Sequence, residues 1–456
     1  MDIFGDWEKS YEQLPQYMQA LKESNPGTVV HWWTLSSATP GVNIFQRVFW
    51  AFRPSIKVFR HCRPLITIDG THLFGKYKGT LLIAMGTDAN FQLFPLAFAI
   101  VESENIESWT WFMACIRHSV TSREGLCVIS DRHVGIMTAM NEPGSLWEYP
   151  HAYHRFCIRH LASNVSNRYG THVKNVFGKA ADSHQKKKFD FWFNRVGELK
   201  VEARQYLGDI PLEQWSIHHD GGRRYGIATA NMSEAFNGVL KGVRCLPIKA
   251  LVEITFFRVN SYFVTRRGWS GRRLEEGHEL SEKAEKTIAE NMTKAAYHVV
   301  QPYDYERGLF QVETGCGNRA AGKGGHWHTI NLARKTCTCE KLKIYKLPCS
   351  HILAVCRYRS LSYNDFVDNS FRTTEWKSSY QKTFKPIPDP AYWSPYMGPK
   401  IVADPSQKRS TGRPKSTRIH NEMDQRPRGK VKCSLCKQEG HNRTTCSRRG
   451  NAGSSG

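Results

Sequence analysis

The chain has no uninterrupted apolar run of about 18 residues or more, the length read as a membrane span, so no membrane partner is expected. Its opening, MDIFGDWEKSYEQ, has neither the charged start nor the apolar segment of a secretory leader, and an intracellular protein is expected. In a reducing compartment its 13 cysteines are expected as free thiols or metal ligands, not as a disulfide framework. Acid is scarce beside base: 41 Asp+Glu stand against 64 Lys+Arg, a net charge of +23. Such an excess favours a polyanionic partner, because neutralised phosphates release counterions. The excess is uneven, with 14 Lys/Arg and 4 Asp/Glu between 400 and 450. No long internal repeat is visible. A hydrophobic content of 40% supports at least one large core, and 456 residues suffice for two to four domains.

Residues 7 to 22 predict a helix, because Trp7, Tyr11, Leu14, Met18 and Leu21 recur at steps of four and three. Pro15 could kink it, and Asn25-Pro26-Gly27 stops it. From 65 the pattern is strand-rich. LITID, TLLIAMG and QLFPLAFAIVE read as three strands, the last two joined by a turn at Asp88-Ala89-Asn90. A helix over 106 to 120, a strand at LCVIS, a helix over 133 to 141 and a strand around HAYHRFC follow. The order β-β-β-α-β-α-β is a mixed sheet with helices packed on it. Residues 158 to 228 read as a basic, irregular helical stretch. A helix capped by Asn231 or Ser233 follows, with helices over 248 to 264 and 279 to 298.

Two segments carry metal-ligand spacing. CSLCKQEGHNRTTC places Cys433, Cys436, His441 and Cys446 as C-x2-C-x4-H-x4-C, three sulfurs and one nitrogen that suit tetrahedral zinc. So short a segment cannot bury a core, and the metal must hold it. It resembles the CCHC zinc knuckle, a module associated with single-stranded nucleic acid. CTCEKLKIYKLPCSH places Cys337, Cys339, Cys349 and His351 as C-x-C-x9-C-x-H, another closed structural set. Cys337 and Cys339 point the same way on an extended strand. This pattern resembles the SWIM zinc finger. The nearby Cys316 and Cys356 are expected as ordinary buried thiols.

Three carboxylates stand at places of interest. Asp69 follows the apolar run LITI and Asp131 follows LCVIS. Glu234 falls in the first turn of the helix at NMSEAFN. Each has a plain explanation: Asp69-Gly70 as a strand-end turn, Asp131 as a helix cap, Glu234 as an acid at a helix N-terminus. Taken together they match a different arrangement. Counted from residue 65, Asp69 ends the first strand of the sheet and Asp131 the fourth. In an RNase H-like sheet those two strands are neighbours, and an acid on a later helix completes the cluster. Crowded carboxylates repel and are stabilised by divalent cations.

The chain resembles a plant Mutator-like element (MULE) transposase. The resemblance rests on DGTHLFGKYKGTLLIAMGTDAN, PLAFAIVESENIESWTWFM, ISDRHVGI, HRFCIRHLASN, NMSEAFNGVLKGVRCLPI, CTCEKLKIYKLPCSHILAVC, GRPKSTR and CSLCKQEGHNRTTC, in the family's order. It implies an α/β, RNase H-like mixed sheet with a helical insertion, followed by small zinc-binding modules. It implies Asp69, Asp131 and Glu234 as the catalytic DDE acids, holding Mg²⁺ or Mn²⁺ for DNA strand cleavage and strand transfer. Cys157 and His160 match the family's C-x2-H motif. They would order the active site or touch DNA; a packed Cys beside a hydrogen-bonded His accounts for them equally. Gly412-Arg413-Pro414-Lys415 resembles an AT-hook core, read against a solvated linker or a nuclear-import signal.

The expected divisions are a helix-and-strand lead-in over 1–60 and the RNase H-like core over 61–265, with its insertion at 158–228. A helical connector over 266–307, a SWIM finger over 308–360, a basic linker over 385–432 and a knuckle over 433–446 follow. Arg413, Lys415, Arg418, Lys432, Lys437 and Arg443 are expected to face DNA. Two structural Zn²⁺ ions, terminal-repeat and target DNA, single-stranded nucleic acid, a homo-oligomer and the nucleus complete the expectation. Longer family members carry another DNA-binding region before the core, and only about sixty residues precede Asp69. A domesticated, non-cutting transcriptional regulator is therefore the alternative.

Overall fold

The computed structural model describes residues 5–229, 236, 238–314, 325–409, 433, 436 and 438. Helix α1 (Trp7–Ser24) starts at Asp6, whose carboxylate accepts the Lys9 N–H at 2.8 Å. Its buried stripe, Tyr11, Leu14, Met18 and Leu21, is the one the periodicity predicts. Pro15 lies inside the helix and is itself buried. The helix continues through it and ends at Asn25.

The main sheet contains β1 (Val29–Ser36), β2 (Val42–Ala51), β3 (Leu65–His72), β4 (Thr80–Thr87), β5 (Leu93–Val101), β6 (Leu126–Ser130) and β7 (Ala152–Phe156). Helix α2 (Arg53–Phe59) precedes β3, α3 (Ile106–Ser119) links β5 to β6, and α4 (Val134–Asn141) links β6 to β7. The spatial order is β1-β2-β5-β4-β3-β6-β7. Strands β1 to β5 pair antiparallel, while β3-β6 and β6-β7 are parallel. Every residue of β4 is buried, as a central strand covered on both faces requires. The lead-in is thus part of the sheet: β2 pairs directly with β5, and Asp69 lies on the third strand of the chain, not the first.

The insertion begins with α5 (Ile158–Tyr169), α6 (Thr171–Ala181), α7 (Lys186–Leu199) and α8 (Val201–Gly208). They bury their own core around Val165, Phe177, Phe189 and Trp215. A buried ion pair, Arg155 Nε to Asp220 Oδ1 at 2.6 Å, ties the far end of this insertion to β7. Helix α9 (Ile248–Glu275) is longer than its predicted 248 to 264 and packs against α1. Helix α10 (Glu282–Ala295) leads into a four-stranded sheet of β8 (Val299–Asp304), β9 (Leu309–Glu313), β10 (Trp327–Asn331) and β11 (Thr336–Cys337). Helices α11 (Lys341–Tyr345), α12 (Ser350–Tyr358) and α13 (Thr373–Ser379) follow.

The first part of the expected linker is laid on the main core. Within it, β12 (Lys400–Val402) adds to β2 in parallel. Ile401 is 3% exposed, and the Asn25 side chain exchanges two hydrogen bonds with the Lys385 backbone. A basic, proline-rich composition predicts a solvated segment, but the apolar residues Phe384, Ile387, Trp393 and Ile401 seat it.

Candidate active site and metal centre

Asp69 does not end its strand. Strand β3 runs on to His72, and Asp69, Gly70 and Thr71 pair with Ile83, Leu82 and Leu81 of β4. Gly70 therefore makes no turn and is absent from the positive-φ glycines. On the other side of β3, Leu65, Ile66 and Thr67 pair in parallel with Cys127, Val128 and Ile129 of β6. Asp131 follows β6 directly, so one aspartate lies within β3 and the other just past the end of its parallel neighbour. Asp131 Oδ1 accepts the His133 N–H at 3.1 Å. The cap of α4 is His133, whose Nδ1 accepts the Gly135 N–H at 3.1 Å, so Asp131 is not spent on capping.

A third carboxylate reaches this place, and the strand-end pattern had not singled it out. Of the acids beyond β5, Glu102 forms a double hydrogen bond with Arg47 at 2.8 and 2.6 Å, and Glu107 also contacts Arg47, at 3.4 Å. Glu104 turns the other way. Its carboxylate oxygens lie 3.0 and 3.2 Å from where a Cβ on Gly70 would stand. Burial, reinforced by the negative charges of Asp131 and Asp69, pushes its pKa up to about 8. Charge crowding of this kind is what a divalent cation relieves, and oxygen donors suit Mg²⁺ or Mn²⁺. The available sequence signal was position: Glu104 lies three residues beyond an apolar strand, as Asp131 lies one beyond another.

The Cys-x2-His pair borders the same site. Cys157 precedes α5, is 0% exposed, and its N–H donates to the Ser130 carbonyl at 2.7 Å. It packs with Leu65, Cys127 and Ile129, beneath the strands that carry the aspartates. His160, in the first turn of α5, lies near enough to favour the ionised form of Glu104. Glu234, Asn231 and Ser233 lie outside the described residues. Beyond them, Phe236 packs on Phe98 with ring centres 6.1 Å apart, and Arg244 hydrogen-bonds Thr71, two residues past Asp69.

The four predicted SWIM ligands converge. The ligand atoms of Cys337, Cys339, Cys349 and His351 all lie within 4.8 Å of one another, and all four residues are buried. Strand β11 and the turn after it supply Cys337 and Cys339, and the start of α12 supplies Cys349 and His351. Hydrogen bonds from the Cys337 and Cys339 thiols, and from the Ile352 and His351 N–H groups, hold the Cys349 thiol well below its ordinary pKa. Thiolate is the zinc-binding form, so the donor set fits zinc. His328 and His298 stack on His351 at 4.0 and 5.2 Å. Cys356 is buried in the adjoining core and outside the ligand set, as expected. Cys316 lies outside the described residues.

Residues 65–164 match the MULE transposase domain. Residues 321–360 match the SWIM zinc finger. A search of curated proteins gives no match. The MULE segment contains Asp69, Glu104, Asp131, Cys157 and His160, and the SWIM segment contains all four converging ligands. Together these matches support a MULE-type transposase with zinc and DNA binding. In the segment expected to be a knuckle, Cys433 is buried and its N–H donates to the Gln438 carbonyl at 2.8 Å. His441 and Cys446 lie outside the described residues, as do Arg413, Lys415, Arg418, Lys432, Lys437 and Arg443.

Proposed function

We propose that this chain is a Mutator-like DNA transposase that cleaves DNA strands and transfers the resulting 3′-hydroxyl to target DNA. The observation that carries this reading is the placement of Asp69 and Asp131 on neighbouring parallel strands inside the MULE-matched segment. Strand order supports an RNase H-like core. Counted from β3, the five strands run third-second-first-fourth-fifth, with the first three antiparallel and the rest parallel. Asp69 and Asp131, with Glu234 on the family resemblance, would hold the divalent cations. Bound there, such ions activate a water or 3′-hydroxyl and stabilise the leaving oxygen. The protein's own part is to fix the carboxylates: Asp69 through its pairing with Ile83 of β4, and Asp131 through the His133 N–H.

The SWIM cluster and the knuckle would each hold one structural Zn²⁺ and present basic surface to DNA or single-stranded nucleic acid. Terminal-repeat DNA, target DNA, self-association and a nuclear location belong to the same reading. It is tested by incubating the full chain with DNA carrying candidate terminal repeats and Mg²⁺ or Mn²⁺. Nicked and joined products are expected. A protein that binds this DNA and never cuts it would instead be a non-cutting regulator.

A further inference from the structure

We propose that Arg244 binds a backbone phosphate of the DNA strand that lies across Asp69 and Asp131, and so positions that strand for cutting. The assignment rests on the transposase reading and adds to it a residue that contacts the substrate.

Strand register fixes which face of the sheet is involved. Leu65 and Thr67 of β3 stand opposite Cys127 and Ile129 of β6, and one more step of two puts Asp69 level with Asp131, the first residue past β6. On its other side Asp69 pairs with Ile83 of β4, and Ile83 with Phe98 of β5. Directly paired residues share a face, and the Phe236 ring packs on Phe98. The segment from Phe236 therefore lies over the face that carries Asp69. Leu240 and Val243, both buried, seat it in the core, and it closes in the helical turn Val243–Cys245. Thr71 is on the same face as Asp69, two residues and about 7 Å further along β3. There the Arg244 guanidinium donates through Nη1 to the Thr71 hydroxyl.

The side chain is not needed to tie this turn to β3, because the Phe74 N–H already donates to the Arg244 carbonyl at 2.8 Å. Nor is its charge met. Among the described residues no carboxylate forms an ion pair with Arg244 and Nη2 has no hydrogen-bond partner, while Nε is buried and unbonded. The Phe74 ring centre lies 5.1 Å from the guanidinium carbon and steadies its plane. A half-buried guanidinium with no counter-charge lacks the compensation that desolvation requires. A phosphate supplies it, gripped by Nη2 and the second Nη1 hydrogen. Arg409 adds a second positive charge at this end of β3, donating to the Leu73 and Gly75 carbonyls at 2.6 and 3.1 Å.

The test is binding of the zinc-loaded full chain to DNA carrying candidate terminal repeats, followed by fluorescence anisotropy in Ca²⁺ over a range of salt. Arg244→Gln should weaken binding about tenfold and lower the salt slope by about 0.9, the loss of one phosphate contact. Arg244→Lys keeps the charge and should keep the slope, but should lose affinity severalfold because an ammonium lacks the planar fork. It also serves if Arg244→Gln fails to fold by circular dichroism. Methylphosphonates placed one at a time should locate a phosphate whose neutralisation weakens the wild type and adds nothing to Arg244→Gln. Wild-type affinity in either folded variant, an unchanged slope in Arg244→Gln, or the lack of such a phosphate would overturn the assignment. In each of those cases, wild-type cleavage in Mn²⁺ that Asp69→Asn abolishes leaves the transposase reading standing. No cleavage by the wild type would defeat both.

Discussion

Replacing Asp88 with alanine should destabilise the protein by about 3 kcal/mol or more, because each buried donor left unpaired costs roughly 1–3 kcal/mol. Asp88 is 0% exposed in the turn between β4 and β5. Its Oδ1 accepts the Asn90 and Gln92 N–H groups at 2.9 and 2.8 Å. Its Oδ2 accepts the Trp376 indole N–H at 3.1 Å and the Tyr380 hydroxyl at 2.8 Å. Trp376 and Tyr380 are 2% and 0% exposed, so water cannot readily replace the carboxylate. Behind the turn, the buried Arg63 donates to the Asp88 carbonyl at 2.6 Å and lies 4.1 Å from the Phe91 ring centre. Asp88→Asn keeps one acceptor oxygen and should lose about half as much. The assay is urea unfolding of wild type, Asp88→Ala, Trp376→Phe and the double variant. A coupling energy of about 1 kcal/mol or more is expected for residues sharing one network. A destabilisation below about 1 kcal/mol, or additive single effects, would refute the clamp.

Zinc content should fall by about one ion per chain in Cys349→Ser, with loss of the β8–β11 fold, and by about one in Cys446→Ser. Unchanged content by atomic absorption would show that the ligand sets are wrong. Burial and the charges of Arg155 and Arg224 pull the His154 pKa down from 6.5 to about 3, and its Nε2 lies 2.7 Å from Ser130 Oγ. Between those pH values the unfolded chain binds a proton that the folded chain does not. Stability contributed by neutral His154 is therefore present above pH 6.5 and declines as pH falls toward about 3. His154→Gln should flatten that part of the acid limb in urea midpoints; an unchanged profile would remove His154 from the account.

Much of the segment that matches the MULE domain was legible because its strands are apolar runs broken by turn chemistry. Asp88-Ala89-Asn90 does make the turn, since Asp88 bonds its own following backbone. Helix α1 followed from its stripe alone. Asp69-Gly70 misled for a physical reason: the pair is common in turns, but here β4 continues the ladder past it, and pairing between strands overrides a dipeptide preference. β1 and β2 were not read as part of the sheet, because β2 pairs with a strand some fifty residues later and no local pattern records that. Glu104 was hidden among similar acids. Only the fold separates the two that meet Arg47 from the one that lies over Gly70. The SWIM ligands were legible by spacing, whereas the stacking of His298 and His328 on His351 depends on the β8–β11 sheet.

The central claim is that Asp69 and Asp131 form one metal-dependent site for DNA chemistry. Its most direct measurement is strand cleavage and joining on terminal-repeat DNA in Mn²⁺, comparing wild type with Asp69→Asn and Asp131→Asn at matched DNA occupancy. The account predicts that either change abolishes both products while DNA binding and zinc content stay at wild-type levels. Cleavage persisting in either variant would contradict it.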